Sequence, residues 1–337
     1  MSKIVTFGEV MMRLAPPGHA KFSQASNLEL TFGGGEANVA ISLAYFGDQA
    51  THVTRFPDNS IGKAATQFLR HHWVDTDEVI YGEEEIGLYF LERGAVHRSS
   101  KVVYNRFNSA FATMQPEMLD WDQIFKDADW FHWTGITPGI SKNVADTCLD
   151  AIKAAKRKGV MVSSDMTYRK NLWQYGKKPG DVMGEMIANC DIVITGANDI
   201  SEIFGFPEQG KPKDEEFAFQ AKKLMERYPD IKKVADKERN SLNASHNTLK
   251  GRMWDGEQLL LTETLDVTHI IDRVGTGDAY AAGLIYGLLH LESDQHALEF
   301  AIAACALKHT IEGDANMVSV SDVEGLVGGN TSGAIIR

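Results

Sequence analysis

Two kinds of hydrophobic pattern divide this chain. In its first third, apolar and polar residues alternate in short runs. From residue 121 onward, short apolar runs are separated by stretches of helical spacing. Residues 86–93 and 101–106 alternate on either side of Gly94-Ala95 and predict a hairpin with a polar tip. The extended pieces 10–15, stopped by Pro16-Pro17-Gly18, and 28–32 are expected to join it in a small sheet outside the main fold. Residues 3–8 and 51–56 read as strands, 58–73 as a helix and 75–79 as another extended piece. Further on, 129–136, 160–165 and 191–194 read as strands, and 145–158 and 183–189 as helices. Strands alternating with helices build βαβ units and a parallel sheet. Ligands of such sheets sit beyond the C-terminal strand ends, where residues 135–138 and 165–169 fall.

The bulk numbers narrow the class. The chain has 337 residues, of which 43% are hydrophobic, enough for one large α/β unit. A net charge of −12 argues against nucleic acid or an anionic membrane as the main partner. It leaves room for an anionic substrate in a local basic pocket. No apolar run approaches the length of a membrane helix, and the start carries no long apolar signal region. Cys148, Cys190 and Cys305 form no C-x-x-C pair and read as reduced core residues of a cytoplasmic protein. The histidines show no metal-binding spacing.

Two glycine-rich stretches carry the candidate chemistry. In the first, Gly33-Gly34-Gly35 leads into an Ala-rich helix closed by Gly47. In the second, the apolar run 269–271, expected to end a strand, precedes Asp272-Arg273-Val274-Gly275-Thr276-Gly277-Asp278 and a helical run. A strand, a glycine turn and a helix start make an anion site, because the first helical N–H groups lack internal partners. Asp278 is the odd residue there. It is either an ordinary N-cap or a base beside a phosphate, taking the proton of an attacking hydroxyl. Tyr104 and Arg106, two apart, share a strand face; with Tyr89 they suit a carboxylate or phosphate, although ordinary cross-strand pairs would give the same pattern.

Residues 272–278 resemble the D-T-x-G-A-G-D signature of the ribokinase-like (PfkB) sugar kinases, departing from it at Arg273 and Thr276. Residues 33–47 resemble that family's first signature, with Phe46 at the usual Leu. Gly87-Leu88-Tyr89, Tyr104-Asn105-Arg106, Gly135 to Pro138 and Asp165 to Arg169 are similar to the branch acting on 2-keto-3-deoxygluconate. The resemblance implies a three-layer α/β/α sandwich over 1–337, with a mostly parallel central sheet and a β lid from about 10–33 and 85–108. It implies ATP and Mg²⁺, and transfer of a phosphoryl group to a sugar acid. Asp278 would be the base, with the backbone of Gly275, Thr276 and Gly277 as the anion hole. Gly34, Asn38, Tyr89, Tyr104, Arg106, Ile136 and Arg169 would bind the substrate, the arginines on its carboxylate. Ser245 and Asn316, with Gly275 and Gly277, would meet the nucleotide, and the lid would serve a homo-oligomer.

The chain departs from that family in two places. The usual N-x-x-E becomes Gly196 and Asp199, leaving Asp199 to hold Mg²⁺ through water. Residues 235–248 contain none of the glycines that many relatives place near the ATP phosphates, and Lys237, Arg239 and Ser245 are the substitutes on offer. A fructokinase or other sugar kinase, and a catalytically weak sugar-acid-binding relative, are the rival readings.

Overall fold

The computed structural model describes residues 1–82, 85–167, 169, 171–331 and 333. Tyr168, within the 165–169 stretch, lies outside the described residues. The main sheet runs in the order Leu259–Leu261, His246–Trp254, Lys233–Asn243, Ile192–Ile194, Met161–Asp165, Trp130–Thr134, Lys3–Phe7, Gln49–Pro57, Val79–Gly82. From Lys233–Asn243 to Val79–Gly82 all neighbours are parallel. The opposite edge is antiparallel, with Leu265–Thr268 also paired on His246–Trp254.

Alternation along these strands feeds two separate cores. Ile192 and Ile194 join one, Val193 the other; Ile4 joins the first, Val5 and Phe7 the second. Successive strand side chains point to opposite faces, so a strand covered on both sides must be apolar throughout. Helices Gly35–Tyr45, Thr276–His290 and Asp294–Lys308 cover one face. Helices Lys142–Lys158, Pro179–Ile187, Ala197–Phe204 and Lys213–Arg227 cover the other. The result is the three-layer α/β/α arrangement that the family resemblance implies.

A second sheet stands apart, in the order Glu29–Gly33, Met11–Ala15, Leu88–Glu92, Lys101–Asn105. Its hairpin register sets Tyr89 opposite Tyr104.

Three local expectations are corrected. Residues 269–271 do not end a strand: the strand stops at Thr268, and His269 takes a positive φ of 55° that breaks the ladder. Residues 75–79 form only a bridge from Asp75 to Thr51, the strand itself starting at Val79. The glycine-free stretch 235–248 is the heart of a long antiparallel hairpin. Its reversal needs no glycine because Asn243 Oδ1 accepts from the Ser245 N–H at 2.8 Å, an Asx-type turn.

Candidate active site

The anion loop is built around one left-handed residue. Gly275 has φ 78° and stands at the N-cap of Thr276–His290. A Cβ there would collide with the Asp314 carbonyl, so only glycine fits. Thr276 Oγ donates to the Arg273 carbonyl at 3.0 Å and closes the turn. Asp272 faces away from the cleft. Its buried carboxylate accepts from Val274 N–H at 3.1 Å, Gly313 N–H at 3.3 Å and Arg13 Nη2 at 2.6 Å. Thr276, Gly277 and Asp278 line the cleft, and the first amides of a helix lack intrahelical partners.

Asp278 is the third residue of the helix, and no side chain caps that end, so the N-cap reading fails. Its Oδ2 instead accepts from Asn38 Nδ2 at 2.7 Å. Asn38 sits in the first turn of Gly35–Tyr45, whose N-cap Gly34 passes so close to the Glu9 carbonyl that a Cβ would overlap it. Burial pushes the Asp278 carboxyl up to about 7, with Asp165 and Asp314 adding to the rise. The Asn38 hydrogen bond and the Lys237 charge oppose it.

The loop opens into a cleft of about 920 Å³ between the small sheet and the C-terminal ends of the parallel strands. Gly34, Asn38, Tyr89, Tyr104, Arg106, Ile136, Arg169, Asp199 and Gly275 to Asp278 all line it. The Tyr89 and Tyr104 ring centroids are 6.0 Å apart. The Tyr89 hydroxyl donates to Asp314 rather than standing free. Arg106, just past its strand, is buried and gives its Nε–H to Glu9 Oε2 at 2.7 Å. Ser109 Oγ donates to the other Glu9 oxygen at 2.5 Å. Arg169 is exposed and has no hydrogen-bond or ion-pair partner among the described residues. Asp199 opens Ala197–Phe204, and its carboxyl is pushed up to about 6 by burial and by Asp165, Asp236 and Glu202, with Arg169 opposing.

Glu9, Glu36 and Arg13 were not singled out in the sequence. Glu36 is buried beneath the cleft, accepting from the Thr134 hydroxyl at 2.8 Å and the Thr137 hydroxyl at 2.6 Å. Burial raises its pKa. Its place within Gly33-Gly34-Gly35-Glu36 was the available signal.

The model of the pfkB family carbohydrate kinases matches residues 1–320. The chain belongs to the pfkB family of carbohydrate kinases. It is similar to a solved 2-dehydro-3-deoxygluconokinase from Thermotoga maritima, with TM-score 0.93 and 40% identity over 98% of this chain and 100% of that one. It is 28% identical to a 2-dehydro-3-deoxygalactonokinase from Haloferax volcanii, over 98% of each chain. It shares its fold with a putative ribokinase II from E. coli solved with ATP and Mg²⁺, at TM-score 0.81 and 18% identity over 97% of this chain and 99% of that one.

As a carbohydrate kinase the protein uses ATP with Mg²⁺. The carboxylates suit a hydrated ion. Burial first, and then Asp165, Asp236 and Glu202, raise the pKa of Asp199; Asp236 is paired with Arg252, so the charge a divalent cation would relieve is that of Asp199 beside Asp165. Among the described residues there is no group of three or more His, Cys, Asp or Glu that could hold a metal ion, and Mg²⁺ is commonly held by one or two carboxylates with water and phosphate oxygens. Two residues expected at the nucleotide lie outside the lining of this cleft. Ser245 does not line the cleft; it tips the hairpin, and its Oγ accepts from Val96 N–H at 3.1 Å, tying the lid to the body. Asn316 does not line it either. It is 1% exposed with both side-chain polar atoms unpartnered. The hairpin register and the 309–319 loop, which set both positions, are not written in the local sequence.

Proposed function

We propose that this kinase transfers the γ-phosphoryl group of ATP to the 6-hydroxyl of a 2-keto-3-deoxy sugar acid, 2-keto-3-deoxygluconate foremost. The observation that carries the reading is Arg169, an exposed guanidinium in the same cleft as Asp278, near enough to Asp199 to lower its pKa but with no side-chain hydrogen bond or ion pair among the described residues. A neutral sugar gives such a group nothing to neutralise, whereas a carboxylate fits its planar fork. Arg106, oriented by Glu9, keeps its remaining N–H donors for the same ligand. Tyr89 and Tyr104 wall the sugar, and Ile136, just past the strand Trp130–Thr134, lines the same cleft.

Asp278 accepts the hydroxyl proton. A base with a pKa near 7 is matched to neutral pH. The amides after Gly275 take the growing charge on the phosphoryl group. Asp199, through water, would hold Mg²⁺, which supplies charge neutralisation when bound. The names of the Thermotoga and Haloferax relatives differ in one sugar epimer, so both epimers belong in the test.

The lid offers a face to a second copy of the chain. Lys101–Asn105 is exposed along its length, and Leu30 and Val103 are 57% and 59% exposed. A cytoplasmic setting accords with ATP use and with three free, buried cysteines.

The deciding experiment is ADP release from MgATP with 2-keto-3-deoxygluconate, its galacto epimer, fructose, ribose and gluconate, with Asp278→Asn as blank. Turnover confined to one or both keto acids supports the reading. Turnover on fructose or ribose overturns the carboxylate pocket and favours a neutral-sugar kinase. Tight keto-acid binding without turnover identifies a catalytically weak relative.

A further inference from the structure

The strand Lys233–Asn243 brings Asp236, Lys237, Glu238 and Arg239 to the cleft in succession. The two carboxylates are already neutralised. Arg252 pairs with Asp236 and lies 3.6 Å from Glu238, which also receives Lys213 at 2.5 Å. Lys237 and Arg239 share the other side of the strand, and neither side chain has a hydrogen bond or ion pair among the described residues. Lys237 reaches across to the catalytic helix. Its Nζ lies 3.0 Å from where a Cβ on Gly277 would stand, and 5.9 Å from the Tyr280 ring centroid. The missing side chain of Gly277 is the space that the ammonium occupies. A cation held against free amides at a helix start is like charge on like, and an anion between them relieves it.

We propose that Lys237 is a catalytic residue whose ammonium holds the phosphoryl group in transfer. Arg239, two residues on, takes the next phosphate of the nucleotide. Side-chain cations thus do in this chain what a glycine turn in 235–248 would do with backbone N–H groups. In the step, the sugar oxygen–phosphorus bond forms and the bond to the bridging oxygen breaks. The proton goes to Asp278, and ADP leaves with the electron pair. Lys237 neutralises charge on the equatorial oxygens, where an unreacting ligand gains less. The inference rests on the kinase reading above and is independent of which sugar acid is accepted.

The test compares Lys237→Met and Lys237→Arg in the full-length enzyme, with MgATP and whichever sugar the enzyme turns over. Lys237→Met is expected to lower kcat roughly 100- to 1,000-fold, with the KM for sugar within about threefold. Lys237→Arg is expected to restore most of the loss. The acid limb of kcat/KM is expected to move to higher pH in Lys237→Met, because the ammonium lowers the Asp278 pKa; a merely structural lysine would not move it. In calorimetry, Lys237→Met is expected to lose the extra affinity for ADP with aluminium fluoride over ADP alone. A folded Lys237→Met with kcat within threefold of wild type overturns the proposal. So does a loss that Lys237→Arg fails to rescue while the acid limb stays fixed. If Asp278→Asn stays active while Lys237→Met does not, the base assignment fails and the lysine assignment stands.

Discussion

Asn38 Nδ2 donates to Asp278 Oδ2 at 2.7 Å, joining two helix starts that lie 240 residues apart in the chain. The bond favours the charged carboxylate, against burial and the nearby Asp165 and Asp314, which favour the acid. Asn38→Ala is therefore expected to raise the Asp278 pKa and lower kcat/KM at pH 7 by about tenfold, with the loss shrinking at pH 9. A pH–rate profile checks it; a loss independent of pH would assign Asn38 to sugar binding alone.

The raised Asp278 pKa has two consequences of opposite sign. Activity is expected to rise with pH through about 7, as the base ionises. Stability is expected to fall from about pH 4 to about pH 7, because between its unfolded pKa near 4 and its folded pKa the native state holds the proton more tightly. Asp278→Asn removes both effects. Its Tm is expected to exceed that of wild type by a few degrees at pH 8 and by little at pH 5, with kcat down by several orders of magnitude. Scanning calorimetry at the two pH values, alongside the rates, reads both.

Arg13 of the lid strand is buried between two carboxylates of the body, with Nη2 2.6 Å from Asp272 and Nη1 2.5 Å from Asp314. Burial disfavours its charge, and Asp314 and Asp272 more than offset this. Arg13→Met leaves both carboxylates buried without it and is expected to cost about 3–5 kcal/mol, several degrees of Tm. Tyr89→Phe removes only a hydroxyl from Asp314 and is expected to stay folded with a raised sugar KM. Thermal melts and steady-state kinetics separate the two.

The two arginines of the sugar-acid pocket differ in what else they hold. Arg169→Ala is expected to leave Tm unchanged and raise the KM for the keto acid roughly 10- to 100-fold, the scale of a charged hydrogen bond. Arg106→Ala also strands the buried Glu9 carboxylate and is expected to lower Tm. Adding Glu9→Gln is expected to recover Tm without recovering affinity, a double-mutant cycle that divides structure from binding.

Asp199 carries the metal expectation. Asp199→Asn is expected to raise the Mg²⁺ concentration for half-maximal rate by about tenfold, with kcat near wild type at saturating Mg²⁺. Initial rates against free Mg²⁺ at fixed ATP measure it. An unchanged dependence would remove Asp199 from the metal's shell.

Local order was legible in the sequence because its physics is local. A period of two marked both strands of the lid hairpin, and glycines marked the two helix starts at 34–35 and 275–277. The same locality hid the partners. Arg106 reads as a free fork until Glu9, 97 residues away, is seen to hold it. Arg13 draws no notice in the extended run 10–15, although it meets Asp314 across 301 positions. The glycine-free stretch 235–248 reads as a defect, whereas the hairpin there turns on Asn243 and delivers Lys237 to Gly277.

The sequence by itself determined the α/β class, the small second sheet, the anion loop and the acid chosen to stand in it, since periodicity and glycine placement act over a few residues. Tertiary structure alone decided that Asp278 is no cap, that Glu9 holds Arg106, and that Lys237 lies against Gly277. Charge, burial and hydrogen bonding are set by whatever packs nearby, and in a fold wound through two sheets those neighbours come from the far ends of the chain.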